Sequence, residues 1–295
     1  MATATFQHMP PKDMMSLHLQ ITDGCTHGKC RYCDIYNGVP FIALPMEEVL
    51  ADIEEMASKA RSNAHRVYLT GGNPFALPNH KLMEVFDAIE ARLPQVNSYG
   101  GFCRIMDVAR KTDEELAELA ARGVDNIAIG AESGYDPALT VMQKNCTAAD
   151  IVEQGKRLRK AGITFTFYFL VGMAGAGKGQ ENAIASAKVF SEAGPSTILI
   201  LCLTPTKTWP LAQDIAEGKW AAPTELEMVN EIRTFIEHLD CEAYINSSHD
   251  TDVIKFEGMV PKDQENMLKL LDDRIPKINE KAARKMREYI HKATF

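Results

Sequence analysis

The feature that most constrains the fold of this chain is a repeated order. A short apolar segment, a turn and a longer amphipathic segment recur six times, at roughly 30-residue spacing. Leu17, Leu19 and Ile21 alternate with polar residues as a first strand. After Pro45, the positions Val49, Leu50, Ile53, Met56 and Ala57 hold helical spacing. A second strand, residues 66–70, ends in Gly71-Gly72-Asn73-Pro74, and Leu82, Val85, Phe86, Ile89 and Leu93 mark the helix after it. A third strand ends near Cys103 and Arg104; its helix opens on the capping box Thr112 to Glu115 and stops at Gly123. The fourth, residues 126–130, enters Ala131-Glu132-Ser133-Gly134, and a helix over 150–160 ends at Gly162.

The fifth strand, residues 163–170, places Ile163, Phe165, Phe167 and Phe169 on one face and Thr164, Thr166 and Tyr168 on the other. The sixth, residues 197–203, is an apolar run between Pro195 and Pro205, which suits a strand buried on both faces. Because each return passes through a helix, the strands are parallel, and the pattern predicts an α/β chain that forms a barrel or a doubly wound sheet. Beyond Pro205 the repeat stops: residues 224–239 read as a helix, 242–246 as a short strand and 267–291 as one or two helices. The expected organisation is an N-terminal arm (1–15), a core (16–205) and a mainly helical C-terminal extension (206–295) covering it. The lysines and arginines between 277 and 292 read as a solvated helix face.

Composition narrows the function classes. The net charge of −8, from 32 basic and 40 acidic residues, disfavours a surface built to neutralise phosphates, so nucleic acid is not the expected partner. No run of about 18 apolar residues is present, which argues against a membrane helix. The first 15 residues lack the basic-then-apolar order of a signal peptide, so a cytoplasmic chain is expected. Seven cysteines, an odd number without a secretory signal, do not read as a disulfide framework.

Three of the seven, Cys25, Cys30 and Cys33, fall within nine residues at the end of the first strand. Thiolates bind soft metals, and three on a short loop hold three corners of a tetrahedral or cuboidal site and leave the fourth open. On the loop alone, an iron-sulfur cluster, a zinc site completed by His18, His27 or Asp34, and three reduced thiols all remain open. Context adds to this. Barrel and sheet enzymes place their sites at the C-terminal ends of the strands. Here those ends carry the cysteines, the double glycine, Arg104 and Glu132-Ser133.

With these motifs the chain resembles the radical S-adenosylmethionine (radical SAM) superfamily. Cys25-x4-Cys30-x2-Cys33, with Tyr32 as the aromatic before the last cysteine, resembles that family's Cys-x3-Cys-x2-Cys loop with one extra residue, which Gly28 is available to absorb. Gly71-Gly72-Asn73-Pro74 resembles the glycine-rich segment whose backbone takes the methionine amino group. Ala131-Glu132-Ser133-Gly134 is similar to the Gly-x-Glu-Ser-Gly segment of the branch holding oxygen-independent coproporphyrinogen oxidase-like proteins, methylthiotransferases and anaerobic oxidative cyclases.

The resemblance implies a partial (β/α)6 TIM-like barrel. It also implies a 4Fe-4S cluster on the three cysteines, with S-adenosylmethionine chelating the fourth iron. Tyr32, Gly71, Gly72, Asn73, Pro74, Arg104, Glu132 and Ser133 would then line the cofactor. One-electron cleavage yields a 5′-deoxyadenosyl radical that abstracts a substrate hydrogen. A small organic substrate, a donor such as flavodoxin or ferredoxin, and an anaerobic or reducing cytosol follow; modification of RNA or protein, and a non-enzymatic zinc or iron-sulfur protein, are the alternatives.

Tyr168, by its strand face, and His249, in Ser247-Ser248-His249-Asp250, are the candidate catalytic residues. Two patterns point elsewhere. Gly172-x4-Gly177-Lys178-Gly179 nearly matches a phosphate-binding loop but has glycine where the magnesium-binding hydroxyl belongs, so nucleotide hydrolysis is not expected. Cys103, Cys146, Cys202 and Cys241 lack ligand spacing, so no auxiliary cluster is expected, and with no cobalamin-binding segment before the first strand, neither is cobalamin-dependent methyl transfer.

Overall fold

A computed structural model describes residues 9–59 and 64–294; residues 1–8 of the expected arm, and the last residue of the expected extension, lie outside the described residues. The chain gathers into two compact units. The first holds the described residues up to Gly28 together with 35–130 and 157–166, and the second holds 29–34, 131–156 and everything from Phe167 on.

In the first unit, β1 (Leu17–Gln20), β2 (Arg66–Thr70), β3 (Ser98–Cys103) and the start of β4 (Ile127–Glu132) lie side by side in chain order. All three pairings are parallel: Leu17 faces Val67, Val67 faces Tyr99, and Phe102 faces Ala128. The returns run through α1 (Met46–Lys59), α2 (Asn79–Arg92), the single turn α3 (Ile105–Val108) and α4 (Asp113–Ala121). α1 buries Val49 and Ile53 with Met56 and Ala57 half-covered, whereas Leu50 is 45% exposed. The stripe therefore runs i, i+4, i+7, and Leu50 lies on its flank rather than under it. The Thr112 capping box forms as expected, with Thr112 Oγ1 accepting from the Glu115 amide at 3.2 Å and Glu115 Oε2 accepting from the Thr112 amide at 2.8 Å. Asp13, in the expected arm, is fully buried and paired with Arg66, which also pairs with Asp125.

The second unit orders β5 (Phe165–Val171) from Phe167 on, β6 (Thr197–Cys202), β7 (Ala243–Ser247) and β8 (Phe256–Val260). β6 and β7 are parallel, and β7 and β8 form an antiparallel hairpin whose second strand the sequence pattern did not announce. Its helices are α5 (Asp136–Val141), the part of α6 (Ala148–Ala161) up to Lys156, α7 (Gly179–Ala193), α8 (Leu211–Ala216), α9 (Glu225–His238), α10 (Gln264–Arg274) and α11 (Glu280–Thr294). The phenylalanine face of β5 packs under helices as expected: Phe167 meets Phe190 of α7 at 5.0 Å, and Phe169 stacks on Phe235 of α9 at 4.0 Å between centroids. The stretch 267–291 resolves into two helices, separated by a 3₁₀ turn over Ile275–Lys277 that contains Pro276.

α11 is anchored at both ends of its first half. Glu280 accepts from the amides of Glu225 and Leu226 at the start of α9, at 2.9 and 3.0 Å. Arg287 forks onto the buried Glu225 at 2.7 and 2.5 Å and donates to Thr204 Oγ1 at 3.1 Å. The class is α/β with mostly parallel strands and a mainly helical last third. Among the described residues, no helix is long and apolar enough to cross a membrane.

Candidate functional site

In the first unit, the ends of β2 and β3 converge on the residue after Cys25. Asn73 Oδ1 accepts from the Thr26 amide at 3.1 Å, while Asn73 Nδ2 donates to Thr26 Oγ1 at 2.7 Å and to Asp107 Oδ2 at 2.6 Å. Thr26 Oγ1 donates to Asp107 Oδ1 at 3.1 Å and accepts from Arg104 Nη1 at 2.9 Å. Asn73 and Asp107 are each 1% exposed, while Thr26 and Arg104 are partly exposed, so the network is shielded from water on its Asn73 and Asp107 side.

The double glycine has a steric cause. A Cβ on Gly72 would stand 1.8 Å from the Gly24 carbonyl oxygen and 3.1 Å from Cys25 Cα, and one on Gly71 would stand 2.2 Å from Thr22 Oγ1. Only a bare backbone lets β2 end against the cysteine loop. Gly71, Gly72, Asn73 and Arg104 thus meet beside Cys25, with Pro74 opening the buried 3₁₀ turn that follows. The side chains of Asn73 and Arg104 are engaged in holding Thr26. Thr26 and Asp107 were not singled out in the sequence, because neither belongs to a recognisable spacing.

In the second unit, Cys30, Tyr32 and Cys33 share surroundings with Glu132. Lys144 Nζ lies 5.6 Å from the centre of the Tyr32 ring and 3.3 Å from Glu132 Oε1. Glu132 has φ +68°, a left-handed backbone that a glutamate adopts only under constraint. Burial pushes its carboxyl above the ordinary range, and Lys144 opposes that rise. Burial, and then the neighbouring Cys30, push the Tyr32 phenol well up. Lys144, 8% exposed, is a site residue that sequence reasoning missed; a single lysine carries no pattern, and its positive-φ neighbours Gln143 and Asn145 are visible only in the structure.

Ser133 turns inward. Its hydroxyl donates to Asn182 Oδ1 at 2.5 Å and accepts from the Tyr135 amide at 2.9 Å, and Asn182 Nδ2 donates to Glu231 Oε1 at 2.6 Å. Tyr168 is 7% exposed on the face of β5 opposite the phenylalanines. His249 lies in a turn against the end of β6, its Nδ1 2.8 Å from Thr251 Oγ1, which accepts from the Cys202 amide at 3.2 Å.

The glycine loop after β5 is closed by the protein's own carboxylates. Glu231 Oε2 accepts from the Gly172 amide at 3.1 Å and Glu227 Oε1 from the Gly177 amide at 2.9 Å. Two amide donors of the loop, those of Gly172 and Gly177, are thus already taken by glutamate side chains. Glu231 is 2% exposed, and burial pushes its carboxyl up to about 8 from an ordinary 4.5. The folded state then keeps a proton that the unfolded chain has lost, so this group's stabilisation falls as pH rises from about 4.5 to 8 and levels off above. Thermal midpoints measured across that range should show the slope, and Glu231→Gln should flatten it.

None of the seven cysteines, all among the described residues, is in a disulfide, and Cys25, Cys30 and Cys33 are each partly exposed. Cys103 and Cys202 are buried, and burial pushes both thiols well up, which suits inert core residues. Among the described residues, no three His, Cys, Asp or Glu side chains stand at the distances of a closed metal site. What suits the loop to a cluster is its donor set of three accessible thiols, and the backbone cradle at Gly72 that a Cβ would fill. Arg31, one residue past Cys30, adds a buried Nε with no hydrogen-bond partner among the described residues, a donor suited to an acceptor-rich group.

Residues 19–187 match the family model of the radical SAM superfamily. An uncharacterized protein of Methanocaldococcus jannaschii is 23% identical over 226 residues, covering 73% of this chain and 69% of that protein. The structure of the radical S-adenosylmethionine methyltransferase TsrM from Kitasatospora setae, with cobalamin and a 4Fe-4S cluster bound, superposes with a TM-score of 0.56 at 18% identity, over 69% of this chain and 39% of that one. Coproporphyrinogen III oxidase of Escherichia coli, described as a radical SAM enzyme, superposes with a TM-score of 0.55 at 13% identity, over 80% of this chain and 57% of that one. The chain spans less than two thirds of the length of either enzyme. At these identities the likeness is one of fold, and it bears out the expected class: α/β, a partial (β/α)6 barrel with a mainly helical C-terminal region.

Proposed function

The chain belongs to the radical SAM superfamily, and from that premise we propose that it binds a 4Fe-4S cluster through Cys25, Cys30 and Cys33, cleaves S-adenosylmethionine reductively, and abstracts hydrogen from a small organic substrate. The observation that carries the reading is the network of Asn73, Asp107 and Arg104 around Thr26, which fixes the loop beside Cys25 from two strand ends. A cluster held by Cys25, Cys30 and Cys33 would supply the electron for reductive cleavage of S-adenosylmethionine.

The chain's own part is positioning and exclusion of water. Gly71 to Pro74 would offer backbone to the methionine amino group, and Glu132, held by Lys144, would take the ribose or amino group. Arg104 and Ser133 support these segments, and Tyr32 closes the loop beneath Lys144. Tyr168 and His249 face the substrate. The acidic balance of −8 supports a small molecule over RNA. A flavodoxin or ferredoxin supplies the electron in a reducing cytoplasm, and residues 16–205 form the catalytic core, with 1–15 and 206–295 as arm and extension.

Anaerobic reconstitution with iron and sulfide, followed by dithionite and S-adenosylmethionine, should yield 5′-deoxyadenosine by mass spectrometry. A well-loaded sample that forms none, or a chain that takes up zinc and refuses iron, would return the loop to a binding role.

A further inference from the structure

The segment after β6 grips the cysteine loop on either side of Tyr32. Asp34, next to Cys33, accepts from Trp209 Nε1 at 3.1 Å through one carboxylate oxygen and from the Thr208 hydroxyl through the other. Arg31, next to Cys30, pairs with Asp214 of α8 and donates through Nη2 to the Pro210 carbonyl at 3.3 Å. Its backbone is held as well: the Arg31 carbonyl accepts from the Leu211 amide at 2.9 Å, and the Arg31 amide donates to the Met142 carbonyl at 3.1 Å. Both oxygens of Asp34 thereby accept a hydrogen bond from this segment, which fixes the orientation of its carboxylate. Upstream of Cys30 the chain is slack by comparison: Gly28 has φ +60° and no heavy atom within 3.8 Å of where its Cβ would stand. Gly28 is thus exposed, with only ordinary contact to the Cys25 and Tyr36 carbonyl oxygens at 3.8 Å, while the Cys30 to Cys33 limb is held by side chains on both sides of Tyr32.

Ordering a loop before it binds removes the entropy that binding would otherwise have to overcome, and groups that orient ligands without touching the metal govern how firmly it is kept. We propose that residues 206–214 are a clasp that presets the Cys30 to Cys33 limb for its cluster, with Thr208, Trp209 and Asp214 as positioning residues. The proposal rests on the reading of the three cysteines as cluster ligands.

The test is the double variant Thr208→Ala/Trp209→Phe, which removes both donors to Asp34, beside Thr208→Ser, which keeps the hydroxyl. After anaerobic reconstitution, the double variant should release iron to a chelator about tenfold faster than the parent, with Thr208→Ser close to the parent. Thermal midpoints of the three apo chains should agree. Equal release rates, or a midpoint that falls in step with iron loss, would overturn the clasp. A second readout needs no cluster: alkylation of the apo chain, followed by mass spectrometry, should label Cys30 and Cys33 faster in the double variant and Cys25 at the parental rate. A parent that loads no iron while this labelling difference persists would sink the cluster reading and leave the clasp standing; unchanged labelling would sink the clasp itself.

Discussion

Cys30→Ala, and equally Cys33→Ala, is expected to bring 5′-deoxyadenosine down to the level of a sample without protein and to remove most of the iron from the reconstituted chain. The reason is arithmetic in ligands. On the proposed reading three thiolates hold three corners of the cluster, and a loop with two lacks one of them. Every later step depends on the electron, so the effect on turnover is total rather than graded. Cys103→Ala and Cys202→Ala are the controls: both side chains are buried with their thiols pushed well up, and both variants should keep the parental iron content at some cost in stability. Iron lost from Cys103→Ala and kept in Cys30→Ala would move the centre elsewhere.

Gly72→Ala should be nearly as severe by another route. The added methyl group would enter a space where the Gly24 carbonyl oxygen already stands 1.8 Å away, and that oxygen is backbone, unable to rotate aside. Relief requires the end of β2 to part from the loop that begins at Gly24, and the hold of Asn73 on Thr26 would part with it. Overpacking of this kind costs about 1–3 kcal/mol or more. Two measurements check it: a lowered thermal midpoint in the apo chain and a cluster content well under that of the parent. A variant with the parental midpoint and full iron would show that the loop has room the geometry denies it.

Much of this was legible in the sequence because it is local. The Thr112 capping box, the stops at Gly123 and Gly162 and the phenylalanine face of β5 are each set by residues a few positions apart, and each forms as expected. The strand-end placement of the cysteines, Gly71-Gly72 and Glu132 was legible for the same reason. Roles set by distant partners were not. Asn73 and Ser133 read as cofactor contacts by position, yet their side chains are committed to Thr26 and Asn182, 47 and 49 residues away in sequence. The grip of Trp209 on Asp34 spans 175 residues and leaves no periodicity to find. β8 escaped notice because Gly258 interrupts a five-residue strand that has only Ala243–Ser247 to define it.

The fork between Arg287 and Glu225 carries a consequence in time as well as in space. Glu225 is 3% exposed, and removing its partner would leave a buried carboxylate without compensation. Arg287 is synthesised after every element it clamps. The clamp on α9 and the end of β6 therefore closes only once the last helix has been made. The segments of the first unit end at Thr166, so all of them have been synthesised well before that clamp can close.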